Sequence, residues 1–168
     1  MKKCKTHNRL CLATFVVNMS ITKLQIHQHC LQELKSRLQT ATEAMASLRE
    51  SVASDTKSSM GDKYETAREM AQQEQNKIGM QMAMLQQWQG IFARLHPNQN
   101  LTIAGIGSLV QTSKGTFYLA APMGKIAVEG HEIMVISPQS PAGKAMLGKK
   151  KDEIIKINES EYRINSVA

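Results

Sequence analysis

Leu24, His27, Leu31, Leu34, Leu38, Ala41, Met45, Leu48 and Val52 recur at alternating steps of three and four. A seam of that period commits the stretch to a helix that buries one narrow stripe against another helix. The partner lies further along the same chain. Ser54, Asp55, Ser58, Ser59 and Gly61 interrupt the apolar pattern, which resumes with Tyr64, Ala67, Ala71, Ile78, Leu85, Trp88, Phe92 and Leu95. It stops at His96-Pro97, because proline cannot continue a helix and turns the residue before it extended. A short connection makes the two helices antiparallel neighbours. With the turn centred near residue 58, Leu24 faces Phe92, Leu31 faces Leu85, Leu38 faces Ile78 and Met45 faces Ala71. At ~1.5 Å per residue the hairpin projects roughly 45 Å. Ser20 is the expected N-cap of the first helix, and Asp62 with Glu65 the expected capping box of the second. Glu74 falls on the second seam and needs a partner or a path to water. Met70, Met80, Met82 and Met84 are expected to fill gaps between the helices.

Pro97-Asn98-Gln99-Asn100 marks a boundary, beyond which the apolar period shifts towards two. Residues 107–112 and 116–121 read as a hairpin closed by Ser113-Lys114-Gly115, and 125–128 and 132–136 as a second around Glu129-Gly130-His131. Ser140-Pro141 opens a short helix that Gly148 ends, and 153–157 with 162–167 form a last hairpin. The predicted fold is α+β. A long antiparallel helical hairpin over 19–96 precedes a small, mostly antiparallel sheet domain with one short helix over 97–168. So small a domain needs the base of the hairpin, near Trp88, Phe92 and Leu95, to complete its core.

The net charge of +7 is unevenly placed. Residues 1–18 hold Lys2, Lys3, Lys5 and Arg9 and no acid; the remainder carries 17 basic against 14 acidic residues. That is too mild for a dedicated duplex-DNA binder. Residues 1–18 are set aside as an unstructured extension or a mis-assigned start ahead of Met19. No apolar run is long enough to span a membrane, so no membrane partner is expected. Cys4, Cys11 and Cys30 make no disulfide framework and no zinc set. His27, His29 and Cys30 do not share one helical face, which argues against a metal or Cys-His site there.

Two places carry candidate chemistry. The first is the hairpin tip, with Asp55, Lys57, Ser58, Ser59, Gly61, Asp62, Lys63 and Tyr64. Carboxylates at a rod's end suit Mg²⁺, which keeps several waters and takes one or two acids. A solvated turn with capping acids explains the same residues. The second is Lys149-Lys150-Lys151, either a solvated loop or an electrostatic contact with an acidic surface or a phosphate backbone.

The order of elements and two motifs resemble the bacterial transcript-cleavage (Gre) factors. Ser137-Pro138-x-Ser140-Pro141-x-Gly143-x-Ala145-x-Leu147-Gly148-Lys149-Lys150 is similar to the family's S-P-L-x-x-A-L-[IL]-G-K-K stretch, followed by Asp152-Glu153 and a closing Tyr162-Arg163-Ile164. The segment from Lys63 to Gln75 is similar to its E-Y-x-x-A-[KR]-E-E-Q run. The resemblance implies an FKBP-like second domain and a hairpin that enters the secondary channel of RNA polymerase. It implies docking through the region of Ser137, Pro138, Ser140, Pro141, Gly148, Lys149 and Lys150. It implies no cofactor of the chain's own, only Mg²⁺ shared with the polymerase active site, and nucleic acid met only through the polymerase complex.

The tip departs from the family pattern D-x-x-E-N-x-x-Y. With Tyr64 on the family tyrosine, Lys57 and Met60 stand where the two acids belong and Gly61 replaces the asparagine. The chain is therefore expected to be a cytoplasmic, monomeric regulator of elongation that is not itself an enzyme, with no catalytic residue beyond the tip candidates Asp55 and Asp62. Three rivals stay open: an active cleavage factor using Asp55 and Asp62, a peptidyl-prolyl isomerase, and a structural coiled coil that self-associates through its seam.

Overall fold

The computed structural model describes residues 21–55 and 61–168, with the backbone alone for 55 and 61–64. Two helices of 33 residues each, α1 (Lys23–Asp55) and α2 (Gly61–Ala93), run against each other. At ~1.5 Å per residue each is about 50 Å long. Then follow β1 (Leu109–Thr112), β2 (Gly115–Leu119), β3 (Gly124–Val128), β4 (His131–Ile136), α3 (Pro141–Met146), β5 (Ile154–Ile157) and β6 (Ser160–Val167). The six strands form one sheet in the order β3-β4-β2-β1-β6-β5. Every neighbouring pair is antiparallel except β2 and β4, which run parallel. The α+β architecture is the expected one.

Alternation along the strands gives the sheet two apolar faces. Tyr118, Ile126, Val128, Ile133 and Val135 form one, and they join Ile26, Cys30, Leu34, Leu85 and Phe92 from the hairpin base. Val110, Leu119, Ile155 and Ile164 form the other, which closes over Met146 of α3. Trp88 and Leu95 pack at the edge of the first cluster, as a small sheet domain in need of hairpin surface requires. The core is thus continuous from the hairpin into the sheet.

Several expectations are corrected. Ser20 lies outside the described residues, and the observed cap of α1 is Thr22. Its Oγ1 accepts from the Gln25 N–H at 3.3 Å while Gln25 Oε1 accepts from the Thr22 N–H at 2.8 Å, a Thr-x-x-Gln capping box. Asp62 is the second residue of α2 and not its cap. Helix α2 ends at Ala93, so Leu95 and His96 belong to the connection. His131 opens β4 opposite Val128, leaving Glu129 and Gly130, both at positive φ, as a two-residue turn.

The largest correction concerns the seam of α1. Leu24 is 38% exposed and does not enter the core, whereas Ile26 and Cys30 are fully buried. At its base α1 faces the sheet as well as α2, so the buried stripe widens towards positions that a two-helix seam would leave in water. Towards the tip the sheet is absent. Beyond Ala41 and Ile78 no described side chain of the hairpin is fully buried.

Candidate functional site

The hairpin base is held by polar as well as apolar contacts. His27 is buried, and its Nδ1 shares a 3.1 Å hydrogen bond with the Tyr118 hydroxyl. Its ring leans on Phe92 at 5.5 Å, and Phe92 in turn on Tyr118 at 6.1 Å. Burial lowers the His27 pKa, so the imidazole stays neutral. Burial raises the Tyr118 phenol, aided by the neighbouring Cys30. Burial also pushes the Cys30 thiol up to about 12, against a backbone hydrogen bond and with a contribution from Glu33. A thiol so held is no nucleophile. Among the described residues no group of three His, Cys, Asp or Glu side chains is placed to hold a metal. Lys23, buried at the start of α1, donates from Nζ to the Gln99 carbonyl and ties the connection to the helix. Burial lowers its pKa.

The segment from Ser137 to Lys150 is a strand-to-helix turn built from its own polar groups. Ser140 Oγ donates to the Ser137 carbonyl at 2.7 Å and accepts from the Gly143 N–H at 3.0 Å, capping α3. Ser137 Oγ accepts from the Gln139 N–H at 3.2 Å. Pro141 takes the first helical position, where no N–H is required. A Cβ on Gly143 would stand 2.2 Å from the Ser137 carbonyl oxygen, so only glycine fits. The N–H of Leu147 bonds back to the Gly143 carbonyl, and Gly148, at φ 77°, turns the chain away. Gly148 N–H then bonds to Ala104 O and Ala104 N–H to Lys149 O, each at 2.8 Å. Ser137, Ser140, Gly143 and Gly148 are thereby spent on the turn, while Pro141 and Lys150 face solvent.

The lysine run is less basic than it reads. Lys149 pairs with Glu153 at 3.0 Å, one helical turn's spacing along the chain. Lys150 and Lys151 are exposed and have no ion pair among the described residues. Leu147 at 40% and Ile154 at 62% exposure lie close by in sequence.

At the far end of the hairpin, Asp55 closes α1 and Gly61 opens α2. Asp62, Lys63 and Tyr64 fall in the first turn of α2. Their side chains, and all of Lys57, Ser58 and Ser59, lie outside the described residues. What the backbone register does establish is that Asp55 and Asp62 flank the connection, one on each helix end.

Glu74 has the path to water that its seam position needs: it is exposed, with a 3.4 Å contact to Lys77. The gap-filling expectation fails for three of the four methionines: Met70, Met80 and Met84 are 66%, 69% and 42% exposed, because no third element among the described residues covers that face, whereas Met82 is half-buried. The aromatics of the sheet domain are all engaged in packing. Tyr118 is wholly buried, and Phe117 stacks edge-on with Tyr162, over which Lys114 sits at 4.9 Å.

No family model matches this chain, and no curated protein sequence matches it. Among solved structures it is similar to one of the transcription factor Gfh1, with 24% identity and a TM-score of 0.32 over 87% of this chain and 93% of that one. It is also similar to a crystal structure of Thermus aquaticus Gfh1, with 24% identity and a TM-score of 0.30 over 88% and 96%.

Proposed function

We propose that this chain is a Gre-type regulator that binds RNA polymerase, places its helical hairpin in the secondary channel and alters elongation without efficient transcript cleavage. The observation that carries this reading is the pairing of a hairpin about 50 Å long with a sheet domain locked to its base. A rod held at one end transmits position to its tip. Ile26, Cys30 and Phe92, buried against the sheet, supply that hold. The residues from Ser137 to Lys150 add support, since their hydrogen bonds show that this stretch, similar to the Gre motif, builds a defined turn. Lys150 and Lys151, exposed and without an ion pair among the described residues, are free to meet an acidic polymerase surface, as is Lys144.

Lys57 and Met60, where acids are expected, argue against cation delivery: a lysine repels the metal that a carboxylate would attract. The rival is an active cleavage factor. Asp55 and Asp62, at the facing ends of α1 and α2, are the observation in its favour.

One experiment separates the two. RNA cleavage is followed in a purified, backtracked elongation complex, with and without a known Gre factor. The expected result is no cleavage by this chain alone and dose-dependent loss of the Gre factor's cleavage. Cleavage that disappears in an Asp55→Ala/Asp62→Ala variant would establish the rival. No effect on the Gre factor, together with no binding to core polymerase at micromolar concentration, would end both.

A further inference from the structure

The distal third of the hairpin is an unfinished bundle. Met45, Leu48, Val52 and Ala71 are only half-buried there, and Ala67 is exposed. On one side this leaves an open groove of about 410 Å³ between α1 and α2, floored by Leu48, Val52, Ala67 and Ala71 and flanked on α2 by Arg68 and Glu74. Two isolated helices gain little from such a seam, whereas four helices close it.

We infer that the groove takes α2 of a second copy of this chain, the two α2 helices crossing antiparallel about a two-fold axis at Ala71. The charge pattern selects this occupant. In an antiparallel pair centred on Ala71, residues equally far before and after it come to the same height. Arg68 is three residues before and Glu74 three residues after, so Arg68 of each copy meets Glu74 of the other, twice by symmetry. Both groups are available: Arg68 has no ion pair among the described residues, and Glu74 has only its long, exposed contact to Lys77. The residue on the axis is alanine, and Ala67 lies one turn away, so the helices can approach to about 8 Å. Leu48 and Val52 then gain the apolar neighbours that one hairpin does not provide.

Such a dimer covers the part of the hairpin that the function proposed above needs free, so the two states exclude each other. The dimer stands or falls without polymerase. The test is sedimentation velocity of the full chain from about 1 to 300 μM, the range in which a weak dimer forms. The expected result is a rise from monomer to dimer mass. Arg68→Glu alone and Glu74→Arg alone should each weaken association at least about tenfold. The Arg68→Glu/Glu74→Arg double variant should restore it, because the pairs are exchanged and not lost. Both positions are exposed, so folding is preserved, and circular dichroism verifies this. A monomer throughout, association indifferent to the single changes, or a double variant that fails to recover would each overturn the inference.

Discussion

At single residues, the side chains that matter most hold the hairpin to the sheet. Tyr118→Phe removes the hydroxyl that His27 Nδ1 bonds to and leaves a buried ring nitrogen unpaired. We expect a loss of about 1–2 kcal/mol in urea unfolding, and a larger one, about 3–5 kcal/mol, for Phe92→Ala. His27 also makes stability depend on pH. Its folded pKa is depressed by burial, so below about 6.5 the unfolded chain takes up a proton that the folded chain refuses. The contribution is fully present above that pH and is lost as pH falls towards the folded pKa. The urea midpoint should drop between pH 7.5 and 5.5, and a His27→Asn variant should show a smaller drop; equal drops would remove His27 as the cause. Gly143→Ala brings a Cβ within 2.2 Å of the Ser137 carbonyl. It should cost at least about 2 kcal/mol, read as a fall in melting temperature, since the three nearest atoms, from Ser137 and Pro138, are all backbone.

At the level of elements, the hairpin is uneven along its length. From Lys23 to Leu38 the first helix is braced by α2 and the sheet, whereas from Met45 onward it has, among the described residues, α2 alone and no fully buried side chain. Amide exchange should therefore be slow over the base and rise along residues 45–55, a gradient that a uniformly packed coiled coil would not show. Gly79 and Gly90 have open space where a Cβ would stand. Replacing both by alanine should add about 1 kcal/mol each and slow exchange in α2. The β5–β6 turn carries Asn158 and Glu159 at φ 45° and 63°. Asn suits that conformation and Glu does not, so Glu159→Gly should stabilise the domain by about 1 kcal/mol.

For the whole molecule, one sheet serves two partners. The hairpin base covers one of its faces and α3 the other, so a force on the rod is borne by the core that also positions the turn from Ser137 to Lys150. Under the function proposed above, cutting that link should uncouple the hairpin tip from the turn at Ser137 to Lys150. A Tyr118→Phe chain, still folded, is expected to compete less well with a Gre factor in the backtracked complex than its loss of stability alone explains. Equal competition would mean that the junction does not need to be stiff. Charge enters only modestly: Lys149 pairs with Glu153, so under the function proposed above salt should weaken polymerase binding through Lys150 and Lys151 more than through Lys149.

The periods of the chain were legible without coordinates. Steps of three and four place both long helices, alternation places the strands, and Ser140-Pro141 with Gly148 brackets α3, because each of these follows from local backbone geometry. Even the true cap of α1 was written there, as Thr22-x-x-Gln25, two residues beyond Ser20. What the tertiary structure decided was which surfaces are covered. Ile26 and Cys30 are core and Leu24 is not, because strands about a hundred residues further along lie against that side of α1. Met70, Met80 and Met84 face water because no described element comes to meet them, and Lys149 pairs with Glu153 while Lys150 and Lys151 have no ion pair among the described residues. Periodicity reports how a segment can fold, since it depends on bonds between near neighbours. Burial depends on what arrives from far along the chain, which no local pattern encodes.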